Sequence, residues 1–108
     1  MIRVRFFCSD GQITGFSVRG HAGLAPAGED VLCAAVSSAA YMTVNTLTDV
    51  SKLPCDVSVS DGDMTVRLSG QNADSVQDLL KGFSLHMREL SRQYPEKLKV
   101  IYGGKNNA

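Results

Sequence analysis

At 108 residues the chain has room for one domain with one modest core, and eleven basic against eleven acidic side chains leave no formal net charge. That balance, with no Arg/Lys cluster in sequence, offers no electrostatic footprint for nonspecific nucleic-acid binding, so no direct nucleic-acid partner is expected. No apolar run is read as a membrane span, and Arg3 and Arg5 break up the apolar N-terminus that a signal peptide would need; the expected location is the cytoplasm, with no membrane partner.

Residues 1–8 alternate, with Ile2, Val4, Phe6 and Cys8 pointing one way and Arg3, Arg5 and Phe7 the other, as in a half-buried strand. Asp10-Gly11 marks a turn into a second strand over 12–19, where Ile13 is out of step with Phe16 and Val18 and Gly15 suggests a bulge. A first helix is expected over 31–52, with Asp30 as N-cap, an apolar series Val36, Ala40, Val44, Leu47 and Val50, and Pro54 beyond its end. Residues 55–69 read as a hairpin around a type I′ turn at Asp61-Gly62, pairing Ser60 with Asp63, Val59 with Met64, Val57 with Val66, Asp56 with Arg67 and Cys55 with Leu68. Val76, Leu80, Phe83, Met87, Leu90 and Tyr94 give the apolar stripe of a second helix over 73–94, and 98–102 alternates as a last strand. The order ββαββαβ suits a two-layer α+β single domain spanning 1–108, with two helices on a mostly antiparallel sheet. The tail 103–108 is expected to fray.

The chemistry concentrates between Gly20 and Ser37. If Asp30 caps the helix, Cys33 sits in its first turn, where unpaired backbone N–H groups and the helix dipole favour thiolate and the Asp30 carboxylate opposes it. A buried cysteine that only packs is the competing reading. His21 lies between Gly20 and Gly23 at a strand end, and the eleven residues from there to Cys33 are enough to bring the two side chains together. A histidine within reach of a thiol completes an activated nucleophile. Ser37, one helical turn after Cys33, could orient His21, bond a substrate or bond back to the Cys33 carbonyl. Asp30 could fix the histidine tautomer as well as cap. Gly20, Ala22, Gly23 and Gly28 belong to a loop of small residues suited to act as a lid over a peptide.

Cys8 and Cys55 read as core, and His86 carries no role. An odd number of widely spaced cysteines argues against a disulfide framework, and with only two histidines no metal site is expected.

The string Gly20-His21-Ala22, Gly28-x-Asp30 and Cys33-Ala34-Ala35-Val36-Ser37 resembles the ribosomal-processing cysteine protease family, Prp. It covers about a sixth of the chain, and Ala27 departs from the aromatic that often precedes the glycine in the family. The resemblance implies a cytoplasmic homodimeric cysteine endopeptidase that removes the N-terminal extension of a large-subunit ribosomal protein. Cys33 would be the nucleophile and His21 the general base and acid, with Asp30 and Ser37 in support and no cofactor. The alternatives are a non-catalytic ribosome-associated assembly or binding module, in which Cys33 only packs, and a purely structural dimer module.

Overall fold

The computed structural model describes residues 1–20 and 27–103. Strands β1 (Ile2–Ser9) and β2 (Gln12–Arg19) lead to helix α1 (Ala27–Asn45). Strands β3 (Asp56–Ser60) and β4 (Asp63–Arg67) follow, then a short helix α2 (Gly70–Ala73), the long helix α3 (Gln77–Gln93) and strand β5 (Leu98–Tyr102). The five strands form one sheet in the order β3-β4-β2-β1-β5. Every pairing is antiparallel except β1 with β5, which the α3 crossover makes parallel. The expected α+β architecture and the two helices over a mostly antiparallel sheet are present.

Alternation decides which side chains meet the helices. Ile2, Val4, Phe6, Phe16, Met64, Val66 and Leu98 are buried on one sheet face against Leu32, Val36, Ala40 and Leu47 of the α1 region and Leu80, Phe83 and Met87 of α3. Phe6, Phe16 and Phe83 form an aromatic centre, with Phe16 and Phe83 edge-on at 4.8 Å between ring centroids and Tyr102 stacked on Phe6 at 5.5 Å.

The bulge inferred near Gly15 is real, and its extra residue is Thr14: Phe7 pairs with Gly15 but Cys8 with Ile13. Thr14 is buried, and its hydroxyl donates to the Phe7 carbonyl at 3.4 Å. Ile13 turns its backbone to α3, where Gln77 Oε1 accepts from its N–H at 3.0 Å and Gln77 Nε2 donates to its carbonyl at 2.8 Å. Gly15 has no room for a side chain, because a Cβ there would collide with the Val66 carbonyl.

Several boundaries differ from expectation. Helix α1 begins at Ala27, so Asp30 is its fourth residue and not its cap. Ala27 is the strongest helix-forming residue type, and Glu29 and Asp30 suit the positive end of the helix dipole at any position of a first turn, so the local sequence allows the earlier start despite Gly28. At its other end α1 passes into a π-helical turn, Thr46–Val50, where the Ser51 N–H donates to the Thr46 carbonyl. Thr43, Thr46 and Thr48 each donate a hydroxyl hydrogen bond to the carbonyl four residues earlier, an arrangement that bends helices. The second helix starts earlier than expected in a different form: Ser69 caps α2, a 3₁₀ turn spans Asp74–Val76, and α3 follows.

The β3–β4 register matches expectation from Asp56–Arg67 to Ser60–Asp63, but Cys55 lies outside the ladder, and the Leu68 N–H donates to Thr14 of β2. In the Asp61-Gly62 turn only Gly62 has positive φ, which rules out type I′; the turn with positive φ at both central residues is Asp10-Gly11.

By length and composition Val31–Val50 would suffice to cross a bilayer, with a mean hydropathy of 1.3, contrary to the reading of the sequence. Here the apolar series of that segment is the helix face that closes the core: Leu32, Val36, Ala40, Val44 and Leu47 are all buried.

Candidate active site

Cys33 is fixed by its neighbours on α1. Leu32, Val36 and Ala40 are buried in the core, and a helix turns about 100° per residue. Residues 33, 37 and 41, each one step on, therefore form a stripe along the edge of the buried face. Cys33, Ser37, Ala40 and Tyr41 line one wall of a cleft of ≈ 190 Å³. Val18 and Gly20 from the end of β2, and Val59, Ser60, Gly62, Asp63 and Met64 of the β3–β4 hairpin, complete it. Val18 and Met64 are cross-strand partners and Val59 pairs with Met64, so the floor is apolar while the hairpin tip brings Ser60 and Asp63 to the rim.

Gly20 joins this cleft to the loop after β2. Its φ of +93° and the closeness of the Met1 carbonyl leave no place for a side chain. The Gly20 N–H donates to the Gly62 carbonyl at 3.0 Å, which pins the strand end to the hairpin turn. His21 is the next residue. It lies outside the described residues, as do Ala22 and Gly23 and the proposed lid up to residue 26. Gly28 and Asp30 fall in the first turn of α1.

The early start of α1 changes one part of the expected chemistry. Cys33 is the seventh helical residue, past the first turn, so its N–H is not among the unpaired donors of a helix start. The dipole effect expected of a first-turn cysteine is confined to that turn as well. What the fold gives Cys33 is position: half-buried, packed against the core and facing the cleft.

Cys8 and Cys55 also pack against the core, and no disulfide joins any of the three cysteines. Burial, and secondarily the Asp56 carboxylate, push the Cys55 thiol above its usual 9.0. The Cys55 sulfur donates to the Leu53 carbonyl at 3.4 Å. His86 is exposed on α3, on the far side of α1 from the cleft stripe, beside Met42 and Leu79.

Ser37 is exposed and lines the cleft; no bond back to the helix like those of Thr43, Thr46 and Thr48 is found for it among the described residues. Tyr41, Val59 and Asp63 were not singled out in the sequence. Tyr41 was within reach of the same reasoning, since 33, 37 and 41 share the spacing that linked Cys33 to Ser37. Val59 and Asp63 join the site only through tertiary packing.

Comparison with known proteins gives the class first: this chain is a cysteine protease, a hydrolase. It belongs to the family described as cysteine protease Prp, whose model matches residues 1–99. The ribosomal processing cysteine protease Prp of Staphylococcus aureus is 26% identical, over 94% of this chain and 99% of that protein. A crystal structure of the S. aureus protease in complex with a substrate peptide superposes with a TM-score of 0.84 at 25% identity, covering 94% of this chain and 99% of that one. SMU.848 from Streptococcus mutans is similar too, with a TM-score of 0.82 and 27% identity over 94% and 98% of the two chains.

Proposed function

We propose that this protein removes the N-terminal extension of a large-subunit ribosomal protein in the cytoplasm, with Cys33 as nucleophile and His21 as its general base and acid. The observation that carries this reading is the position of Cys33 in the cleft, beside Ser37 and facing Gly20, the residue directly before His21.

In the proposed reaction His21 takes the thiol proton and the Cys33 sulfur attacks the scissile carbonyl. The C–N bond breaks as His21 returns the proton to the leaving amine. Water, deprotonated by His21, then hydrolyses the thioester and frees the thiol. Ser37, in the cleft wall, is proposed to hydrogen-bond the substrate backbone or the imidazole, and Asp30 to orient His21. Val18, Val59 and Met64 suit an apolar peptide side chain, and Tyr41 can flank it.

Strand β3 supports an extended substrate: it is an edge of the sheet, exposed along its whole length, and Val59 and Ser60 belong to the cleft. A peptide can pair with such an edge by strand addition. The stretch 21–26 between β2 and α1 is proposed to close over the bound peptide, and the protein to act as a homodimer. The chemistry asks for no cofactor.

Competitive alkylation tests the nucleophile. Near neutral pH iodoacetamide is expected to modify Cys33 faster than Cys8 and Cys55, with Cys55 the slowest because its ionisation is displaced upward, and His21→Ala should slow Cys33 selectively. Equal rates at all three cysteines, read by peptide mass spectrometry on folded protein, would remove the support for an activated Cys33.

A further inference from the structure

The zero net charge of the chain conceals a segregated surface. Strand alternation sends Arg3 and Arg5 of β1, Arg19 of β2, Arg67 of β4 and Lys99 of β5 to the outer face of the sheet, away from the helices. Two acidic residues, Asp56 and Asp63, share that face.

Arg3 stands opposite Arg19 on one side and Lys99 on the other, so three cations lie in a row across β2, β1 and β5. At strand spacings of about 4.8 Å the row is roughly 10 Å wide, with Arg5 about 7 Å further along. Like charges placed directly opposite one another destabilise a sheet. Among the described residues Asp63 relieves Arg19, at 3.4 Å, and neither that pair nor Arg92–Glu89 reaches Arg3, Arg5 or Lys99, which are all exposed. A row of cations kept at a cost to the fold fits a polyanion that repays it on binding.

The face also indicates which polyanion. The Arg67 guanidinium covers the Phe7 ring at 4.3 Å, and Phe7 is buried, so no aromatic ring is offered for stacking of unpaired bases. Among the described residues Ile101 is half-buried and Met1, just ahead of β1, is 45% exposed, and one exposed apolar side chain at the end of the row is a small anchor for a bilayer. What remains is a flat array of guanidinium and ammonium donors, which suits backbone phosphates without base readout. The cleft is walled by α1 on the helix side of the sheet and adjoins this face only at its hairpin rim, where Asp63 pairs with Arg19.

We propose that the outer face of the sheet, through Arg3, Arg5, Arg19 and Lys99, docks on the phosphate backbone of duplex RNA. The choice of RNA over DNA rests on the proposed reading that the substrate is a ribosomal protein.

The test is fluorescence anisotropy with a short labelled RNA duplex at about 50 mM salt, where phosphate contacts are least screened. Arg3→Gln/Lys99→Gln removes two cations and also their mutual repulsion, so the fold and its Tm are kept or improved while affinity falls about tenfold or more and the salt slope shrinks by about two. Arg88→Gln/Arg92→Gln on α3 should leave RNA binding unchanged. Peptide cleavage by the folded Gln variant should match wild type. No RNA binding by wild type, equal binding by the Arg3/Lys99 variant, or binding to phosphatidylserine vesicles in place of RNA would each overturn the proposal. Cleavage and RNA binding are read separately, so a failed substrate assignment is distinguishable from a failed docking surface.

Discussion

Gly20 shows how one residue ties fold to site. Its left-handed backbone, the Met1 carbonyl pressed against it and its hydrogen bond to Gly62 set the direction in which the chain leaves β2 for His21. Gly20→Ala is expected to destabilise by at least about 1–3 kcal/mol, the usual cost of a side chain held in a sparsely allowed conformation, with the collision against the Met1 carbonyl added to it, and to lower cleavage further by redirecting the chain that leads to His21, the proposed base. Denaturant unfolding and peptide cleavage on the folded fraction separate the two effects. Cys55 adds a pH term. Its thiol ionises later in the folded protein than in the unfolded chain, so the folded state holds the proton longer. Its contribution is present below the ordinary 9.0 and is lost as pH climbs through the raised folded value. Stability measured across that range should fall with pH, and Cys55→Ala should flatten the fall.

At the scale of elements, the clearest dependency joins the β2 bulge to α3. Gln77 satisfies both backbone groups of Ile13 and also donates to the Ala73 carbonyl at 2.9 Å. Gln77→Ala leaves these groups unpaired in a half-buried position and should cost about 1–3 kcal/mol, measured by urea unfolding, with Gln77→Glu recovering only part. This contact was invisible in the sequence because it spans 64 positions and depends on where the bulge falls. The strands themselves were legible: alternation in β1 and β5 and the pairing of β3 with β4 are local patterns, and Leu98–Tyr102 was read to the residue. Helix ends were less so. The start of α1 was placed by a preference for aspartate as a cap, a preference that a first-turn position also satisfies. Its π-helical end coincides with threonine hydroxyls returning to the backbone, a contact that helical spacing does not reveal. The Asp61-Gly62 turn was given the wrong type because the dipeptide suits more than one geometry, although the strand register it connects was right.

At the scale of the whole molecule, the site and the core are one construction. The stripe 32, 36, 40 closes α1 onto the sheet, and the stripe 33, 37, 41 is carried with it to the cleft edge. Cys33 and Ser37 were therefore readable from helical spacing, whereas Val59 and Asp63 enter only when β4 pairs with β2 and sets the hairpin beside α1. The outer basic face was likewise hidden, since its cations are scattered through the sequence and meet only in the strand register. The central claim is that Cys33 is the nucleophile that cuts a ribosomal-protein extension. The most direct measurement is incubation of the matching ribosomal protein, with its N-terminal extension, with wild type and with folded Cys33→Ala, followed by mass spectrometry of the products. A single cut within the extension by wild type alone is the expected result. Intact substrate with both proteins, or the same cut by both, would contradict it.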